Sequence, residues 1–289
     1  MKPMPFNYIR ARSLDQILAL LQEHGEEAKI LAGGQSLIPA MNMRFAAPEM
    51  ILDISSVEEL QGIQEQSAAV RIGSMCRLAE VLEAQMVKKF APLIAMAIPH
   101  IAHSTIRNQG TFGGSMCQAD PASELPACAL ALDASFNIRS ALGTRAVQAS
   151  DFFQGTYATC LADDEILVSV DVPRSGTNRV NFFQEVSRRQ GDYAIAGLAA
   201  SAIVDDGRLQ DARLVFFGVA EVPVSAAPAE CILMDTLVSE IDADHICSVV
   251  ASNIAPLGDL TSSGDTKLAI MQVLLRRALD SFANRDSAA

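Results

Sequence analysis

The sequence predicts an α+β protein in two parts, and three observations carry that prediction. Helix and strand signals alternate over the first fifty-odd residues, as in a small α/β unit. A polar, turn-forming run, Pro173-Arg174-Ser175-Gly176-Thr177-Asn178, reads as a linker. Beyond it, strands come first and helices last, the order of an α+β domain.

The elements follow in order. Residues 14–21 read as a helix, with Ser13 as cap and Leu14, Ile17, Leu18 and Leu21 on one face. Residues 29–32 form a short buried strand that runs into Gly33-Gly34. Residues 36–44 make an apolar helical turn or two, and 50–54 are a second strand. A polar stretch at 55–67 precedes a strand at 70–72, an amphipathic helix at 77–86 and an apolar run with prolines at 90–102. Residues 105–124 are rich in Gly, Ser and Asn and read as a long loop. Then come a helix at 125–132 and strands at 136–138, 145–147 and 165–172. Past the linker, strands at 180–186, 197–204 and 213–219 are followed by helices at 243–252 and 266–283.

Composition narrows the function. The 289 residues are long enough for two cores, and 50% hydrophobic with 19% charged is globular usage. A net charge of −12 repels phosphate backbones, which argues against a nucleic-acid partner. No apolar run is long enough to span a bilayer, and the start, Met1-Lys2-Pro3-Met4-Pro5, lacks the apolar core of a signal peptide; a cytoplasmic protein is expected. None of the six cysteines forms a C-x-x-C pair, so neither a disulfide framework nor an iron–sulfur cluster held by this chain is expected.

Two glycine-rich segments stand out. In Leu31-Ala32-Gly33-Gly34-Gln35-Ser36-Leu37, a strand ends in paired glycines just before a helical segment. Glycines allow a sharp turn and close ligand approach, and successive free N–H groups make an anion-binding nest suited to a pyrophosphate. Alone, it reads rather as an ordinary strand–turn–helix with a capping serine. The second runs Thr105-Ile106-Arg107-Asn108-Gln109-Gly110-Thr111-Phe112-Gly113-Gly114-Ser115-Met116 and on to Glu124. It offers hydroxyls, amides, free N–H groups and the carboxylates of Asp120 and Glu124; alone, it is equally a surface loop. Neither matches G-x-G-x-x-G or G-x-x-x-x-G-K-[ST], so the physical inference is a two-site, non-Rossmann dinucleotide fold.

Together these segments resemble the flavin subunits of the molybdenum hydroxylase (xanthine dehydrogenase) family, which includes carbon monoxide and N-heterocycle dehydrogenases. The resemblance covers nearly the whole chain. Its motifs are Phe6-Asn7-Tyr8, Ala32-Gly33-Gly34-Gln35-Ser36-Leu37-Ile38-Pro39, Ile106-Arg107-Asn108-Gln109-Gly110-Thr111-Phe112-Gly113-Gly114, Ala119-Asp120-Pro121-Ala122-Ser123-Glu124-Leu125-Pro126, Glu165-Ile166-Leu167 and Arg188-Arg189-Gln190-Gly191-Asp192-Tyr193.

The resemblance implies a two-part FAD-binding domain of the vanillyl-alcohol-oxidase (PCMH) type at 1–175, with subparts of about 1–54 and 55–175. A smaller α+β domain follows at 176–289. It implies FAD as this chain's cofactor, cradled at the pyrophosphate by Ala32–Ser36 within the 31–37 segment, from Leu31 to Leu37. Thr111, Gly114 and Ser115, after Gly110, would hold it from the other side. Ile101 and Ala102 would lie near the flavin, and Gln118, Asp120 and Glu124 at the ribityl, ribose or adenine side. Leu167 would pack near the adenine, and Tyr193 beside the isoalloxazine ring.

The implied partners are a small subunit with two [2Fe–2S] clusters and a large molybdopterin subunit, in a dimer of heterotrimers. Electrons would pass through FAD to oxygen, NAD or another acceptor. In one departure, Gln184 and Glu185 stand where some relatives place a lysine near the ring. The competing reading is a stand-alone FAD-dependent oxidase acting directly on a small substrate, although no general base is evident near Tyr193.

Three other clusters are expected to be structural. His100 and His103 lack a third metal ligand at the right spacing and fit a domain or subunit boundary. Arg188-Arg189 read as a solvated or ion-paired face, and Asp163-Asp164-Glu165 as a charged turn before a strand.

Overall fold

The computed structural model of the chain describes residues 2–284. The N-terminal lobe is β1 (Asn7–Arg10), α1 (Leu14–His24), β2 (Ala28–Leu31), α2 (Leu37–Asn42) and β3 (Met50–Asp53). Its three strands are parallel in the order β1-β3-β2. The α1 helix starts where the Ser13 hydroxyl accepts the Gln16 N–H at 3.2 Å, and it buries Leu14, Ile17, Leu18 and Leu21. Those side chains pack on Leu52 and Ile54, so the lobe has its own small core.

The central part begins with β4 (Ile63–Glu65) and β5 (Ala69–Gly73). Six short helices follow: α3 (Leu78–Glu83), α4 (Gln85–Phe90), α5 (Pro92–Ala97), α6 (Ser104–Arg107), α7 (Phe112–Gln118) and α8 (Glu124–Ala131). Then come β6 (Ser135–Ser140), β7 (Gly143–Gln148), α9 (Ala149–Phe152), the β8–β9 hairpin (Phe153–Gly155, Ala158–Thr159) and β10 (Ile166–Pro173). An antiparallel sheet in the order β4-β5-β10-β6-β7 backs the helices.

Two expectations change here. The helix expected at 77–86 is two helices, because the backbone turns extended at Ala84 (φ −64°, ψ 117°). In one helix Val81 and Val87 would lie roughly 120° apart around the axis; the break lets both enter the same core at 0% exposure. The expected loop at 105–124 contains α7. Its two glycines are poor helix formers, but Thr111 caps it, and Phe112 and Met116, four residues apart, are sealed in the core.

The C-terminal part is a meander, β11 (Arg179–Ser187), β12 (Ala194–Asp205), β13 (Arg208–Phe217) and β14 (Val224–Ser225), followed by α10 (Ala227–Leu233), α11 (Ala243–Asn253) and α12 (Gly264–Asn284). Strand alternation gives this sheet two buried faces. Leu198, Ala200, Leu214 and Phe216 pack on its own helices. Phe183, Ala194, Ala199, Val215 and Phe217 instead join the core of the central part. One face of the C-terminal sheet therefore completes the core of the central part.

A polar brace adds to the junction. Lys267 Nζ, almost fully buried, donates to the Gly218 carbonyl at 2.7 Å and pairs with Asp259 at 2.6 Å. The Gly218 N–H in turn donates to the Pro121 carbonyl at 2.8 Å. No helix among the described residues is long and apolar enough to cross a membrane.

Candidate functional site: two glycine loops and the domain junction

The first glycine loop follows β2. Gly34 has φ +72°, a conformation that favours glycine. The Gln35 amide donates to the Gly33 carbonyl at 3.1 Å and folds the loop back on itself. Among the described residues, the N–H groups of Gly33, Gly34, Gln35 and Ser36 donate to no protein acceptor. Four successive unspent donors are what an anionic ligand needs.

The second loop meets it directly. A β-carbon on Gly33 would lie 2.5 Å from the Gln109 carbonyl oxygen and 2.8 Å from Gly110 Cα, so the two backbones touch only because Gly33 has no side chain. A bridge to Arg77 holds this loop in place, with Leu78 N–H to Gly110 at 3.0 Å and Phe112 N–H to Cys76 at 2.9 Å. The Arg77 guanidinium also grips the Gln109 carbonyl. Thr111 Oγ1 accepts the Gly114 N–H at 3.1 Å. A β-carbon at Gly114 would stand 3.7 Å from Ala32 Cβ, which places Ala32, Gly33, Gly110, Thr111 and Gly114 on one wall.

Beyond α7 the chain turns at Ala119 (φ +47°). Ser115 and Ser123 face each other with hydroxyls 3.3 Å apart. Asp120 accepts the Ala122 N–H at 2.9 Å and the Tyr157 hydroxyl at 3.3 Å. Gln118, at the end of α7, is half-buried. Leu167 is buried in the central core at 2% exposure.

The junction supplies the last group. Arg107 donates to the carbonyls of Ile101 and Ala102, each at 2.9 Å, and holds Ala102 at φ +44°. Gly191 (φ +76°) packs on that turn; a β-carbon there would lie 2.7 Å from the Ala102 oxygen. Tyr193, two residues on, is 72% exposed. Partial desolvation and the nearby Asp120 and Glu124 carboxylates hold its phenol above the ordinary value.

The structure thus brings the 32–36 loop against the 110–115 loop, and the 101–102 turn against the segment that carries Tyr193. Sequence reasoning passed over Tyr157, Ser123 and the pinning role of Arg107. Arg107 lay inside a quoted motif and was open to that reading. Nothing local marks Tyr157, whose contact with Asp120 exists only in the fold. Arg188 and Arg189 both pair with Asp192, at 3.3 and 3.5 Å, and Arg145 grips Glu165 with two bonds of 2.7 Å.

Glu124 is the unusual carboxyl of the region. It is 7% exposed, and burial, followed by the nearby Glu185 and Asp120 charges, pushes its pKa up from 4.5 to about 8. A folded-state pKa above the unfolded value gives a contribution to stability that is full below the unfolded pKa. That contribution is lost as pH rises through the folded one. Between about pH 4.5 and about pH 8 the chain is therefore expected to lose on the order of a few kcal/mol through this group. Denaturant midpoints across that window test it. Glu124→Gln is expected to flatten the fall, and parallel wild-type and variant profiles would contradict it.

The fold and site define a flavin-binding protein built on two lobes with a capping C-terminal sheet, and comparison with known proteins agrees. Residues 4–175 match the FAD binding domain in molybdopterin dehydrogenase, and 181–282 match the CO dehydrogenase flavoprotein C-terminal domain. The chain belongs to this family of FAD-binding dehydrogenase subunits. It is 33% identical to the 6-hydroxypseudooxynicotine dehydrogenase complex subunit alpha of Paenarthrobacter nicotinovorans, over 99% of this chain and 97% of that one. It is 32% identical to the carbon monoxide dehydrogenase medium chain of Hydrogenophaga pseudoflava, over 97% of this chain and 98% of that one. The solved carbon monoxide dehydrogenase structure from that organism superimposes with a TM-score of 0.95 at 33% identity, covering 99% of both chains.

The residues present fit FAD. The unspent amides and the glycine wall suit a pyrophosphate, and the neighbouring hydroxyls and carboxylate suit a sugar. The exposed Tyr193 ring suits a flat aromatic partner.

Proposed function

We propose that this chain is the electron-transfer subunit of a molybdenum-containing hydroxylase. It receives electrons from the [2Fe–2S] clusters of a small subunit, which are fed by a large molybdopterin subunit, and passes them to an external acceptor. The observation that carries the reading is the contact between the two glycine loops, which makes one phosphate cradle from two distant segments.

In this reading residues 31–37 hold the pyrophosphate on one side, and Gly110, Thr111, Gly114 and Ser115 on the other. Gln118, Asp120 and Glu124 lie toward the sugar and adenine, with Leu167 beneath them in the core. Ile101, Ala102 and Tyr193 bound the ring. FAD supplies the exchange between paired and single electrons; the chain supplies position, charge and exclusion of water. No side chain acts as nucleophile. The domain division at 175/176, the dimer of heterotrimers and a cytoplasmic location belong to the same reading. The six free cysteines accord with a reducing compartment.

The test is to purify the native assembly through a tag on this chain and measure flavin by absorption, with molybdenum and iron by elemental analysis. Flavin with both metals in fixed ratio supports the reading. Flavin alone, without partner chains, sinks it in favour of the stand-alone oxidase. Within the same preparation Gly114→Val is expected to yield a colourless chain. Its β-carbon would lie 2.6 Å from Thr111 Oγ1 and break the loop's cap; full flavin retention would count against the loop assignment.

A further inference from the structure

The inner stripe of α12 is apolar except near its start. Met271, Leu274 and Ala278 are each 0% exposed, and Lys267, one turn before Met271, continues the same face at 4% exposure. An apolar residue would continue the stripe, and a buried ammonium is costly unless it is paired and hydrogen-bonded. The loop before the helix is shaped to meet it. A β-carbon on Gly264 would lie 2.5 Å from the Pro256 carbonyl oxygen, so the loop closes on itself. Asp259 Oδ1 accepts the N–H groups of Thr261 and Ser262 at 2.7 and 3.0 Å, and Oδ2 pairs with Lys267 Nζ at 2.6 Å.

The other partner of the ammonium is the Gly218 carbonyl, at 2.7 Å. Gly218 follows β13 with φ +74°. A glycine has several accessible conformations, and a fixed partner selects one of them. The Gly218 N–H donates to the Pro121 carbonyl at 2.8 Å. Pro121 follows Asp120, whose Oδ1 accepts the Ala122 N–H and whose carbonyl accepts the Ser123 N–H, both at 2.9 Å. Residues 120–123 are therefore tied to one another and follow Pro121. Gly218 also lies against the strand that leaves Tyr193: a β-carbon there would be 3.0 and 3.1 Å from the carbonyl oxygens of Ala194 and Ile195. One glycine thus fastens the Asp120 loop to the base of the Tyr193 segment. Among the described residues the ammonium's partners are Gly218 and Asp259, and neither is a candidate cofactor contact.

We propose that Lys267 is a positioning residue of the cofactor site. By holding the Gly218 carbonyl it fixes the direction of the Gly218 N–H, and through Pro121 it sets where Asp120 stands. The proposal rests on the reading of Asp120 as a contact of FAD. It makes FAD binding in the central part depend on a charged side chain of the last helix. It also explains why a cation stands in an apolar stripe: a methionine would fill the space but leave the Gly218 carbonyl without its donor.

The experiment is a fluorescence titration of FAD into the full chain stripped of flavin, for Lys267→Met, Asp120→Asn and the double variant. Lys267→Met is expected to weaken FAD about tenfold, the effect of one lost charge-assisted hydrogen bond. In the Asp120→Asn background the same change should cost nothing further, because it acts through Asp120. Hydrogen exchange at the Gly218 amide should speed up in Lys267→Met. Asp259→Asn releases the ammonium from a half-exposed position; it provides the same comparison if Lys267→Met fails to fold. Wild-type FAD affinity in Lys267→Met or its substitute, or losses that multiply in the double variant, would overturn the proposal and leave the site reading intact. Wild-type affinity in Asp120→Asn would instead remove Asp120 from the site, and the proposal with it.

Discussion

Gly33→Ala is expected to remove bound flavin from a chain that still folds. The added methyl would sit 2.5 Å from the Gln109 carbonyl oxygen and 2.8 Å from Gly110 Cα, both backbone atoms with nowhere to rotate. The two loops must part, and the strain falls on the cradle rather than on a core. Overpacking of this kind costs ~1–3 kcal/mol. If that strain opposes the bound geometry, FAD affinity falls about tenfold or more. Flavin-to-protein absorbance after gel filtration and a fluorescence titration with FAD measure it. Gly25→Ala is the control: its β-carbon meets nothing within 4 Å, although its φ of +47° is one that L residues rarely adopt. Gly25→Ala should keep its flavin. A Gly33→Ala chain as yellow as wild type would remove the loop contact as the basis of binding.

Phe217→Ala is expected to destabilise both parts of the molecule together, by ~3–5 kcal/mol. Phe217 is 0% exposed and belongs to the core of the central part, although its strand belongs to the C-terminal sheet. Its ring stacks on Phe183 at 5.7 Å and lies so close over Gly197 that a β-carbon there would be 2.1 Å from the ring. Truncation opens a cavity at the junction. Urea unfolding followed by fluorescence and circular dichroism should give one transition, shifted as a whole. Two separate transitions, only one of them moved, would mean that the parts do not share a core.

Much of the local structure was legible in the chain. The α1 helix follows from Ser13 and the spacing of Leu14, Ile17, Leu18 and Leu21, because capping and amphipathic periodicity are local properties. Four of the five strands of the central sheet, β5, β6, β7 and β10, and the two long C-terminal helices were legible for the same reason, whereas β4 lies in the polar stretch at 55–67. The α7 helix was not, since its glycines argue against a helix while its stability comes from Phe112 and Met116 reaching a core built elsewhere. The break at Ala84 was also hidden, because 77–86 is amphipathic whether or not the helix continues.

For the candidate site, the sequence by itself determined the materials. These are two glycine segments rich in free N–H groups and hydroxyls, two nearby carboxylates and the absence of common nucleotide signatures. Those depend only on residue type and spacing. Only the tertiary structure decided that Gly33 touches Gln109 and Gly110, that Gly191 docks on Ala102 and that Glu124 is buried. Contacts between residues far apart in the chain are set by how lobes and sheets pack, and burial is what turns an ordinary glutamate into one that holds its proton near neutrality.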